Sequence, residues 1–136
     1  MISEAANIRR AGRRDEYLLV AELVAAPHNQ AFAGSIAASD FFDAHMGNLY
    51  QNLSILAAAG YPINDGGALL RAVQKMPGLP DDMRTTDFVA DLIRDGIGSH
   101  VRFYADAVRS EAQRRGLMGI CSELRMRLDE PHHEPS

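Results

Sequence analysis

Apolar residues in the first half of the chain recur in alternating steps of four and three. Phe42, Met46, Leu49, Leu53 and Leu56 follow this spacing. It is the spacing of a helix that buries one stripe against neighbouring helices. Nowhere do β-branched and aromatic residues alternate with polar ones over five or six positions between turn residues, which is what a strand needs. The fold class expected is therefore all-α, a helical bundle of three long and one or two short helices.

Punctuation sets the expected helix ends. The first helix is expected from about Ser3 to Ala26, stopped by Pro27, and the second from about Ser35 to Ala59, with Gly60 and Pro62 beyond its end. A short third helix spans Gly66 to Lys75, behind Asn64 or Asp65 as N-cap. MPGLPDDM at 76–83 reads as a loop. Thr85 or Thr86 then caps a long fourth helix, which Gly116 ends near Arg115 and whose stripe is Val89, Ile93, Ile97, His100, Tyr104 and Val108. A short fifth helix covers Leu117 to Leu128. Residues 1–130 are expected as a single domain and 131–136 as a disordered polar tail.

With 136 residues, 46% of them hydrophobic and 24% charged, the chain can bury an ordinary core. The longest mainly apolar run, YLLVAELVAA at 17–26, is interrupted by Glu22 and is half the length of a membrane span. No export signal pattern precedes it, and a lone Cys121 excludes an internal disulfide and a cysteine-based zinc site. These features imply a cytoplasmic protein. Thirteen arginines against one lysine, with abundant alanine, suggest a GC-rich bacterial source.

The net charge of −4 disfavours general nucleic-acid binding, and its layout says more than its sum. Between Arg14 and Arg71 there is no Lys or Arg, so the middle of the chain cannot track a phosphate backbone. The basic patch of Arg9, Arg10, Arg13 and Arg14 offers at most weak, salt-sensitive contact with nucleic acid. Asp87, Asp91 and Asp95, at steps of four, read as a solvated acidic face.

The second helix carries no formal charge from His45 to Asp65, and its second face reads Phe41, His45, Asn48, Asn52, Ile55 and Ala59. A face that is polar but uncharged suits a subunit interface, where amides and an imidazole pair and fix register. This implies a homo-oligomer, dimer or higher, with a protein partner as the further expectation and no membrane contact. The competing chemistry at His45 is metal ligation. A set of His45, His100, Asp43 and Glu22 would hold a divalent metal ion if the helices brought them together, although Asp43 and His45 point to different faces of a helix. Without that convergence no cofactor is expected, and the function expected is that of a small non-enzymatic binding, adaptor or regulatory protein.

Two stretches resemble one family. DFFDAH at 40–45 is similar to the aromatic-pair-then-histidine segment on a ferroxidase helix of the DNA-protecting mini-ferritins, the Dps family. The segment from Asp91 to Glu130 resembles that family's last two helices, with a glycine-bounded turn at Gly116 and Gly119 and a helix ending in Arg127 and Leu128. The arginine-rich start is similar to the segment some members use on DNA. The resemblance implies a ferritin-like bundle, with a metal-binding or DNA-associated role as alternatives. The chain departs from the family where acidic ligands should follow the histidine, since Leu49 and Leu53 stand there. His28 lies 17 residues upstream of His45, where the family's second ligand histidine stands about a dozen away. These departures imply reduced or absent iron chemistry.

Overall fold

The computed structural model describes residues 13–29 and 36–128, and among these all regular structure is helical. Five α-helices follow in order: α1 Arg14–Ala25, α2 Ala44–Ala58, α3 Gly66–Lys75, α4 Thr86–Asp95 and α5 Val101–Leu128. Short 3-10 turns lie at Pro27–Asn29, Ala38–Asp40 and Asp81–Met83. Over the described residues the fold is all-α, as the spacing predicts. Residues 3–12 of the expected first helix, Ser35 and the expected tail lie outside the described residues.

Every residue of α1 from Glu16 to Val24 is buried. A surface helix hides one stripe only, so burial all round requires neighbours on every side. α2, α4 and α5 supply them, while α3 packs on α4. From Tyr17 to Ala26 the only charged side chain is Glu22, so α1 can occupy the centre with one polar group to satisfy. α2 has one buried side, formed by Met46, Leu49, Tyr50 and Leu53. Phe42, expected at the head of that stripe, stands before the helix and is exposed.

Two expected helices are shorter or differently divided. α2 begins at Ala44, not near Ser35, because the Asp43 carboxylate accepts from the backbone N–H groups of His45 and Met46 and so caps the helix there. The expected fourth helix is broken between Gly96 and His100. A Cβ at Gly96 would collide with the Ala21 carbonyl oxygen, and Gly98 holds φ +91°, which a helix cannot contain. Ile97, expected inside the stripe, is consequently exposed. Gly116 does not end a helix: α5 runs through it for 28 residues, about 42 Å.

After the break, α5 runs back along α1. Gly98 sits beside Ala25 and Ala26, and Val108 and Arg115 sit near Arg13 to Glu16. The far half of α5 has no such neighbour among the described residues, and every residue from Gly116 to Leu128 is exposed.

Tyr50 lies in the core with its ring centre 5.2 Å from that of Phe41. Burial pushes its phenol up to about 12, against smaller opposing effects of a hydrogen bond with Ser54 and the charge of Arg109. Below pH 10 both folded and unfolded chains carry the neutral phenol. Between pH 10 and about 12 only the unfolded chain ionises, so stability falls as pH rises. Tyr50→Phe should remove about 2–3 kcal/mol of that alkaline loss, measured as the difference between urea unfolding curves at pH 9 and pH 12.

Candidate interaction surface

The residues expected to form an interface on α2 separate in the structure. Phe41 is buried within the chain against Tyr50. Asn48 donates from Nδ2 to the Pro77 carbonyl oxygen at 2.9 Å, which ties α2 to the loop after α3. Asn52 donates from Nδ2 to the Asn48 carbonyl and to its Oδ1, at 2.9 and 2.8 Å. The amides that sequence assigns to a partner are thus engaged inside the chain. His45 and Ile55 remain exposed, the first at the start of α2 and the second about three turns later.

Ile55 and Asn52 form one wall of a groove of about 510 Å³ between α2 and α3. Tyr61 and Met76 extend the apolar lining, and Arg71 and Lys75 stand on the α3 side. The Tyr61 hydroxyl donates to the Ala68 carbonyl oxygen at 2.8 Å, which fixes one edge of this groove.

Among the described residues no three His, Cys, Asp or Glu side chains form a group that could hold a metal ion, so Glu22, Asp43, His45 and His100 are not gathered into one. Their carboxylates have other work. Glu22, 1% exposed, accepts from the backbone N–H groups of Ile97 and Gly98 through Oε2 and of His100 through Oε1. These donors lie at the break just before α5, where a negative charge also complements the positive end of the helix. Asp43 caps α2. The His100 imidazole is exposed and lies edge-on to Tyr104.

A second carboxylate, which sequence reasoning missed, repeats the arrangement. Glu16, 4% exposed, accepts from the N–H groups of Phe42 and Asp43 at 2.8 and 3.0 Å, just before α2. Its position among the polar residues at the start of the first helix gives no sign of burial.

Arg13 and Arg14 are exposed, while Arg9 and Arg10 lie outside the described residues. The Arg13 guanidinium sits over the Phe42 ring at 4.0 Å from its centre, and Arg115 approaches the same ring at 5.6 Å. Arg115 also donates to the Asp40 carbonyl oxygen at 2.7 Å. These cations clamp the segment before α2. The expected acidic face is likewise partly structural: Asp91 is buried beside Arg94, and Asp95 accepts from the Tyr17 hydroxyl at 2.8 Å.

Among the described residues, six of the ten exposed large hydrophobic side chains lie elsewhere, on the far half of α5. Leu117, Met118, Ile120, Leu124, Met126 and Leu128 are each 52–81% exposed. Leu117, Cys121, Leu124 and Leu128 succeed one another at steps of four, three and four, the seam spacing also present in α2. The spacing is legible in sequence, but the expected stop at Gly116 places it on a short packed helix.

Glu22→Gln keeps the size of the side chain but removes its charge and turns one acceptor into a donor facing backbone N–H groups. It should lower stability by about 2–3 kcal/mol and speed hydrogen exchange at the amides of Ile97, Gly98 and His100. Comparisons of the chain with protein families, with characterised proteins and with solved structures find no match.

Proposed function

We propose that the chain is a helical-bundle binding or adaptor protein, non-enzymatic, that works as a self-associated assembly. The observation that carries this reading is the projecting half of α5, whose apolar residues stand exposed along their length. Monomeric soluble proteins rarely leave such a contiguous apolar stripe in water. The stripe is also costly to keep helical alone. A free helix of fewer than about 12–15 residues is marginal in water, and each glycine costs about 1 kcal/mol relative to alanine. Residues 117–128 are not a free helix but continue α5 past its packed half, with no packing of their own among the described residues, and Gly116 and Gly119 weaken the helix at their near end. A packed partner offsets both costs.

A second copy of the chain is the occupant proposed. The seam spacing on α5 is the one with which like helices interdigitate, and it is flanked by both signs of charge, Glu111 and Glu123 with Arg125 and Arg127. The assembly surface therefore moves from α2, where sequence places it, to α5. The exposed groove between α2 and α3 stays free for a further partner.

The test is the native mass of untagged protein purified without chelator. Wild type should sediment as a dimer or larger, free of stoichiometric metal. Leu117→Glu combined with Leu124→Glu should give monomer, with the unfolding transition of the body retained. A monomeric wild type would sink the reading, and one metal ion per chain lost on His45→Ala would favour the ferritin-like alternative.

A further inference from the structure

The direction and register of the pairing follow from the distribution of charge along α5. We propose that two copies pair through the outer face of α5 in antiparallel fashion, with Ile120 meeting the partner's Ile120 at the two-fold axis. This inference rests on the self-association proposed above and goes on to specify its geometry.

Val101, Ala105 and Val108 mark the buried face of α5. Counting along the helix, Leu117, Cys121, Leu124 and Leu128 lie roughly half a turn away, on the side opposite the body. The same outer line extends back through Ser110 and the exposed Phe103 at seven-residue intervals from Leu117. A seven-residue repeat keeps one face toward a partner over several turns. The two bodies then stand on opposite sides of the helix pair and do not collide.

A parallel pair in this repeat stacks Arg114 on the partner's Arg114 and sets Asp106 against the partner's Glu111, so like charges meet at two levels. An antiparallel pair avoids both contacts. In the register that layers Leu117 with the partner's Cys121, Glu111 faces the partner's Arg125, and symmetry forms this contact twice. Ile120 and Met118, which flank the seam, each meet their own copies near the axis, where their exposed side chains are covered. The overlap runs from about Ser110 to Leu128, roughly 27 Å of helix. Glu111 already lies 3.4 Å from Arg114 on its own helix, so the partner's Arg125 completes a small network. Arg125 has no ion pair of its own among the described residues.

Cysteine cross-linking and charge reversal read this geometry directly. Under mild oxidation wild-type Cys121 should not link to itself, because its facing residue is Leu117. Leu117→Cys should yield a covalent dimer on a non-reducing gel, since the introduced thiol and the partner's Cys121 then share one layer. Glu111→Arg and Arg125→Glu should each raise the dimer dissociation constant about tenfold, and the double reversal should return it to within about threefold of wild type. A wild-type dimer that links through Cys121, or one that Leu117→Cys fails to link, would overturn the antiparallel register. A wild type that is monomeric by mass would instead overturn the self-association on which it rests.

Discussion

Two buried glutamates on the central helix organise this molecule. Glu16 and Glu22 leave α1 six residues apart, and each accepts backbone N–H groups from the segment just before another helix. A carboxylate in a core is expensive unless fully hydrogen-bonded, and the donors available are the orphan N–H groups at helix starts. Each need meets the other. Glu16 sets where α2 enters, and Glu22 sets where α4 ends and α5 begins.

Arginines act on the complementary groups. Arg84 donates to the carbonyl oxygens of Val73, Gln74, Met76 and Leu79, which gather at the end of α3 and in the loop after it. A cation there faces the negative end of a helix and satisfies carbonyls that have no intrahelical partner. Asn48 holds the same loop from the other side through Pro77. These charged side chains thus serve the backbone, while among the described residues side-chain ion pairs join Arg94 to Asp91 and Asp95 on α4 and lie one turn apart on α5 at Arg109–Asp106 and Arg127–Glu123.

The helical class is legible because apolar spacing reports which faces are buried. So are the N-caps at Asp65 and Thr85, which accept from Ala68 and Phe88 as their residue types suggest. The break at Gly96 to His100 is not legible, since a period of 3.6 continues formally through it from Ile93 to Tyr104. What interrupts the helix is a carboxylate 75 residues earlier in the chain, a contact no local pattern carries. The uncharged face of α2 announces that it is polar and in need of partners. Those partners are the chain's own loop carbonyl and a neighbouring asparagine, which sequence cannot distinguish from those of another subunit. Gly116 misleads in the opposite direction, because glycine weakens a helix without forbidding it.

Among the described residues the contacts of α5 are confined to its near half, which gives the far half mechanical leverage. Glu22 anchors only the root of α5, through three backbone hydrogen bonds, and Gly98 supplies the one unusual backbone angle there. Packing on α1 as far as Val108 and the Arg115 hydrogen bond to Asp40 hold the near half, so a tilt of about 10° where those contacts stop would carry the tip at Leu128 through roughly 3 Å, given about 1.5 Å of rise per residue. The buried carboxylate and the packing on α1 thus hold one end of a long beam whose other end carries the exposed apolar residues.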